Sequence, residues 1–458
     1  MQDPLSAFID AACVPLDAGH ATGTLDRAQA ILAEHPDVAA GNIHSAAILG
    51  DDARVREFID SDRANATAKG GPREWDPLTH LCFSRYLRLD RSRSDSFVRA
   101  ASALMDAGAD PNTGWYEKDH EPAPEWESVI YGAAGIARHA ALTQLLLDRG
   151  ADPNDEETPY HAPETFDNAA LEVLVKCGKL NDDSLGMILL RKTDWHDHDG
   201  IKWLLEQGAD PNRMGRFGRT ALHHAVIRDN SLKIIETLLD HGADPSVIGT
   251  LDHRSRGMSA IAIAARRGRG DLLELFERRG IEVELQGLEQ LVARCAAGNW
   301  KEVRAIVERN PHLVSDIIAQ GGKLICDFSG NGNSEGVRLL LDLGVDVRAT
   351  YEEGDGYYGV ARKSMALHVA AWRARHGTLK LLIDRGAPVN ALDGEGLSPL
   401  ALAVNACVSS YWTESRTPES VQALLEAGAS VTSIRFPSGY AEVDELLRTH
   451  RARVQPPV

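Results

Sequence analysis

Apolar residues recur at three- and four-residue spacing in short bursts along the chain, and glycine cuts off many of them. The strings QLLLDRG, ETLLDHG, RLLLDLG, KLLIDRG and QALLEAG end at Gly150, Gly242, Gly344, Gly386 and Gly428. Paired leucines with apolar residues three and four positions back make a one-sided helix, and a glycine able to take positive φ stops it. Upstream of several bursts lies a second signature: TALHHAV from Thr220, SAIAIAA from Ser259, MALHVAA from Met365 and SPLALAV from Ser398. This pattern predicts another short helix, capped in most copies by a Thr or Ser hydroxyl and packed through small alanines.

The two signatures form a repeating unit. GADPN occurs at Gly108, Gly150 and Gly208, followed by GADPS from Gly242, GIEVE from Gly280, GVDVR from Gly344, GAPVN from Gly386 and GASVT from Gly428. Glycine-to-glycine intervals are 34, 38 and 42 residues, and the longer gaps of 58 (150→208) and 64 (280→344) fit two units each. A single helix pair cannot cover its own apolar face, whereas stacked pairs bury it against one another. TALHHAV with GADPN resembles the ankyrin repeat family, and the resemblance covers nearly the whole chain. It implies an all-α, ankyrin-like α-solenoid of about eleven stacked helix-turn-helix repeats with several long finger loops. The expected organisation is a degenerate N-terminal capping unit over 1–42, a repeat array over 43–434, and a C-terminal capping helix and tail over 435–458.

Composition narrows the class of partner. Lys+Arg 49 against Asp+Glu 67 gives a formal charge of −18, which repels phosphate backbones and argues against nucleic acid. No apolar run approaches the ~20 residues that cross a bilayer, and no Lys or Arg precedes Arg27, so neither a membrane span nor a secretory leader is expected. Six cysteines standing at least 31 residues apart form no CxxC pair. A reducing, cytoplasmic setting is the expectation.

Finger length varies between units. Asn212→Leu222 and Asn390→Leu400 each take 10 residues, whereas Ser246→Ile261 takes 15, and Asn112→Tyr131 and Arg348→Leu367 take 19 each. Long loops on a rigid scaffold are where recognition concentrates. These loops hold Trp115, Tyr116, His120, Trp126, Tyr160, His161, Phe166, Tyr351, Tyr357, Tyr358, Tyr411 and Trp412. Register from the TALH motif places Arg216, Phe217, Arg219 and Arg228 on the inner side, with Trp75, Trp372 and Arg373 in equivalent places. The expected partner-binding residues are therefore Trp75, Trp115, Trp126, Tyr160, Trp195, Arg216, Phe217, Arg219, Arg228, Tyr358, Trp372, Arg373 and Tyr411. Arginine beside aromatics suits a protein or peptide, or a small anionic ligand.

The densest polar run is KTDWHDHDG. His196 and His198 are weak metal candidates, because residues two apart converge only with outside help, and Asp197 or Asp199 reads better as a helix N-cap. No metal or other cofactor is therefore expected. His223 and His368 fall on the histidine that, by the resemblance, braces the turn. No GxSxG, P-loop, HExxH or Rossmann pattern occurs. The leading expectation is a non-catalytic scaffold that binds a protein or peptide on its concave face and fingers. The alternative is an enzyme or small-molecule binder whose pocket the fingers close, using acid/base or metal chemistry around 115–131, 156–166 and 194–199. Its first catalytic candidates are His161, Glu157, Asp194 and His196.

Overall fold

The computed structural model describes residues 3–17, 19–251, 255–410 and 415–454. The chain divides into two compact units, Met1–Asp244 and Pro245–Val458, within the fourth GADP string.

Each unit is a stack of short antiparallel helix pairs. In the first, helix Ala221–Ile227 begins at Thr220, whose hydroxyl accepts from the His223 N–H, and helix Leu232–Asp240 begins at Ser231. The second helix ends at Asp240, two residues before Gly242, which takes φ +88°, where a side chain would be strained. Leu222, Ala225, Leu238 and Ile235 are fully buried, as the apolar spacing predicts. In the second unit the pairs Ala366–Trp372 with His376–Asp384, and Pro399–Ser409 with Glu419–Glu426, repeat the arrangement. His223 and His368 brace their turns: the Thr220 and Met365 N–H groups donate to Nδ1 of each, and His368 Nε2 lies 3.1 Å from the Ala391 carbonyl.

The asparagine of GADPN has a structural role that the string alone does not reveal. Asn212 Nδ2 donates to the Gly242 carbonyl (2.8 Å), and its Oδ1 accepts from the Asp244 N–H (2.7 Å). Asn112 makes the same pair with Gly150 and Asp152. Asn154 makes it with Lys179 and Asn181, and Asn390 with Gly428 and Ser430. Each side-chain amide spans from one turn to the next and satisfies backbone groups that the turn leaves open.

Two of the long fingers contain strands. Gly114–Glu117 pairs antiparallel with Glu125–Ser128, and Thr350–Tyr351 pairs with Ser364–Met365. The first hairpin sets the geometry of the site.

Candidate functional site

Alternation along the hairpin sorts its side chains between two faces. Trp115 stands opposite Glu127 and Glu117 opposite Glu125, and these four share the inner face. Tyr116 and Trp126 stack on the outer face with ring centroids 4.7 Å apart. Trp115 joins Trp75 and Phe83 in an aromatic cluster, with centroids 5.0 and 5.8 Å away. Trp75 and Trp115 are only 5% and 6% exposed. Their rings glue the hairpin to the helices, which corrects the expectation that they face a partner.

Behind the hairpin, Val129–Tyr131 runs directly into a wide helical turn, Gly132–Ile136, closed by Ala137 N–H donating to the Gly132 carbonyl. Gly135 is needed there, because a Cβ would stand 2.7 Å from the Tyr131 ring and 3.3 Å from His161 Cβ. The next short helix, Glu157–His161, is started by Asp155, which accepts from the Thr158 N–H and from the Ser128 hydroxyl. Four-residue spacing puts Glu157 and His161 on one helix face.

His161 lies between two carboxylates, with Nε2 3.0 Å from Glu157 and Nδ1 2.9 Å from Glu164. Burial opposes its charge, but hydrogen bonds to Glu157 and Glu164 outweigh that and hold the imidazole up at about 9. Glu164 also pairs with Arg191, Arg191 with Asp194, and Asp194 with His224 (2.8 Å) and Arg228. Burial raises Asp194, yet the hydrogen bond from His224 and its cationic neighbours bring its carboxyl well below the usual range. At the other end Arg216 meets Glu156 at 3.0 Å and Glu157 at 3.9 Å. The result is a continuous chain of ion pairs from Arg216 to Arg228. Tyr160 lies inside it, with the Arg191 and Arg216 guanidinium carbons 4.0 and 4.8 Å from its ring centroid.

A cleft of about 550 Å³ opens between the hairpin and these helices. Five glutamates (117, 125, 156, 157 and 164) line it, against Arg138 and Arg216 among the guanidinium groups. Arg138 is spent on the Glu164 carbonyl at 2.6 Å. His120 sits at the rim, 2.8 Å from Glu125. At the back, His20 Nδ1 lies 3.0 Å from the Tyr131 hydroxyl, and Nε2 lies 3.4 Å from Glu117. Burial lowers His20 to about 4, so the ring is neutral at pH 7. Burial also raises Glu127 to about 9 and raises Glu117 and Glu125, with neighbouring carboxylates adding to the effect at all three.

Of the residues expected from sequence, Glu157, Tyr160, His161, Arg216 and Phe217 meet in the cleft. Arg219 stacks beside Phe217 (5.2 Å) but is buried, and Arg228 is committed to Asp194. Trp126 is half-buried on the outer hairpin face, and Trp195 packs edge-on against Phe166. Tyr358 and Arg373 are buried against each other in the second unit, where the Trp372 indole N–H donates to the Tyr358 carbonyl. Tyr411 lies outside the described residues.

The KTDWHDHDG run serves structure. Asp197 caps helix His198–Glu206 and pairs with the fully buried Lys192 at 2.8 Å. His198 is held by Asp199 and Thr237. Among the described residues the group of three or more His, Cys, Asp or Glu donors close enough to share a cation is His20, Glu117 and Glu127. Sequence reasoning missed His20, Glu117, Glu125, Glu127, Tyr131 and Arg191. The alternating WYE and EWE strings were the available signal for the glutamates.

The His161 ion pairs make stability pH-dependent. The folded protein holds this proton more tightly than the unfolded chain, where histidine titrates near ~6.5. The contribution is therefore complete below pH ~6.5 and is lost as pH rises through about 9. With the side chain 29% exposed, the expected loss is on the order of 2 kcal/mol. Urea denaturation at pH 6.5 and 9.5 measures it, and H161Q should flatten the difference. Equal pH dependence in both proteins would exclude this origin.

Stacked antiparallel helix pairs, tied turn to turn by asparagine and carrying fingers, define a helix-turn-helix repeat protein. Residues 187–287 match the family profile "Ankyrin repeats (3 copies)", and residues 364–394 match "Ankyrin repeat". Over these two segments the chain carries ankyrin repeats. It is 36% identical over 90 residues to cyclin-dependent kinase 4 inhibitor B of Bos taurus, covering 19% of this chain and 63% of that one. To the Homo sapiens protein of the same name it is 36% identical over 88 residues, covering 19% and 58%. The chain thus spans less than two thirds of either relative. The solved human ASB11 ankyrin repeat domain aligns at 17% identity with a TM-score of 0.26, over 59% of this chain and 99% of that one. Among the described residues no helix is long and apolar enough to cross a membrane.

Proposed function

We propose that this protein is a non-catalytic recognition scaffold whose first unit takes a basic side chain of a protein or peptide partner into the cleft under the hairpin. The observation that carries this is the excess of acidic side chains there, five glutamates against Arg138, Arg216 and the protonated His161. Arg216 and Arg138 are already engaged by Glu156 and by a backbone carbonyl, which leaves little for an anionic ligand. A Lys or Arg from a partner would meet Glu125 and Glu156 at the mouth and the Tyr160 and Phe217 rings beside them. Repeats of this family commonly bind proteins, and two of the relatives are named as inhibitors of cyclin-dependent kinase 4.

Selection of displayed random peptides on the immobilised protein tests the proposal. Enriched sequences should carry Lys or Arg, and the double variant E156Q/E157Q should bind them at least ~10-fold more weakly, the equivalent of about 1.4 kcal/mol. Enrichment of acidic peptides, or binding indifferent to both substitutions, would overturn it.

A second reading, a small-molecule binder or enzyme, draws support from the convergence of 117–131, 157–164 and Arg216 on one cleft. His161 would then act as an acid, since its two carboxylates keep it protonated at neutral pH. Segment 194–199 joins that cleft through Arg191, which bridges Glu164 and Asp194.

A further inference from the structure

The inner face of the hairpin is electrostatically unfinished. Glu117 and Glu125 stand directly opposite each other, a cross-strand arrangement that like charges disfavour. Glu127, one pair further along, is 1% exposed, and its Oε2 has no hydrogen-bond partner. Among the described residues no Lys or Arg pairs with Glu117 or Glu127, whereas the buried Asp197 and Asp327 are each paired with a Lys or Arg. A buried carboxylate oxygen left alone costs several kcal/mol unless something answers it.

The group facing these oxygens is His20, which reaches the same spot from the N-terminal segment. It is 7% exposed, and its Nε2 likewise has no hydrogen-bond partner. Nε2 stands 3.4 Å from Glu117 Oε2, and Nδ1 stands 3.9 Å from Glu127 Oε2. One donor atom from each of the three residues falls within 4.8 Å of the others. Donors bound at ~2.1 Å around one cation sit roughly 3 to 3.5 Å apart, so small rotamer shifts complete the set. On its other side the imidazole meets the Tyr131 hydroxyl at 3.0 Å. If Nδ1–H donates to that oxygen, the Nε2 lone pair is left free beside Glu117, as an outer partner does for metal-binding histidines.

We propose that His20, Glu117 and Glu127 form a binding site for one divalent transition-metal cation, of the Zn²⁺ or Mn²⁺ kind, at the back of the cleft. Two carboxylates neutralise such an ion, and the single imidazole favours it over Mg²⁺ or Ca²⁺, which prefer all-oxygen sites. The remaining positions around the ion would face the cleft, where a partner or ligand group could complete them. This inference stands apart from the basic-peptide reading, because that reading uses the mouth of the cleft and this one its buried wall.

The test uses the untagged full-length chain, stripped with chelator and titrated separately with ZnCl₂ and MnCl₂ by calorimetry, with bound metal counted by elemental analysis. The expected result is one equivalent bound with micromolar or tighter affinity, accompanied by a rise in Tm. E127Q and H20Q should each weaken binding at least ~100-fold, while H198Q changes it less than ~2-fold. Gln is close in shape to the protonated Glu127 that burial favours, so without metal E127Q should melt no lower than the unsubstituted chain, and the thermal melt checks that it is folded. H20Q supplies an independent arm should E127Q fail that check. No binding to the unsubstituted chain, binding unaffected by both substitutions, or loss of binding in H198Q would overturn the proposal.

Discussion

Leu222→Asp should unfold the repeats around it at neutral pH and room temperature. Leu222 is fully buried on helix Ala221–Ile227, between His223, which braces the turn, and the packed Ala225. Removing a leucine from such a site costs ~2–5 kcal/mol in lost packing. Burying a carboxylate with no partner adds several more, which places the change in the rare class above ~5 kcal/mol. Because helix pairs couple mainly to their neighbours, the loss should spread locally. Circular dichroism against temperature should show a low-temperature loss of helix followed by a later transition from distant repeats. A single sharp transition at the original temperature would contradict the stacked architecture.

Arg191→Met should cost ~3–5 kcal/mol at pH 7, the usual result of removing one partner from a buried charge pair. The guanidinium is 11% exposed and serves Glu164 and Asp194 at once, while lying 4.0 Å from the Tyr160 ring centroid. Asp194 keeps His224 and Arg228, so most of the damage falls on Glu164, left with only His161. In the native chain burial raises Glu164, but His161 and Arg191 outweigh this and lower it, so the stability it contributes is present above pH ~4.5 and fades as the pH falls. The variant lacks part of that contribution, and the gap between the two proteins should narrow as pH drops below ~4.5. Denaturant titrations at pH 7 and pH 4 provide the comparison. A loss under ~1 kcal/mol at pH 7 would mean that the ion-pair chain is decorative.

The repeating unit is legible in the sequence because it is local. Capping residue, apolar spacing and terminal glycine all lie within about 34 residues, so TALHHAV and GADPN announce both helices and the turn. The cleft is legible only in part. Tyr160, Arg216 and Phe217 stand out as aromatic and arginine on a predicted inner side, and they do line it. The hairpin glutamates are hidden by their neighbours: in WYE and EWE the tryptophans draw the eye, and only the period of two shows that Glu117 and Glu127 share the buried face with Trp115. His20 has no local signal. It belongs to the degenerate first segment and meets Tyr131 across 111 positions, a contact made by the fold alone. Trp75 and Trp115 mislead for the opposite reason, since an aromatic on a finger fits a binding surface and a core equally well until the hairpin closes.

The asparagine ties at the finger bases separate two kinds of change that a lineage can make. Asn112, Asn154, Asn212 and Asn390 fix the spacing of successive units from below, through backbone groups next to the turn glycines. Nothing in that tie depends on how far the finger then travels before returning. A finger can therefore be lengthened, shortened or exchanged without disturbing the step from one unit to the next, because the added entropy of a longer loop grows only slowly with its length. The 10-residue run after Asn212 and the 19-residue run after Asn112 start from the same anchor. On this scaffold, new specificity is an edit to one finger, inherited without renegotiating the rest of the molecule.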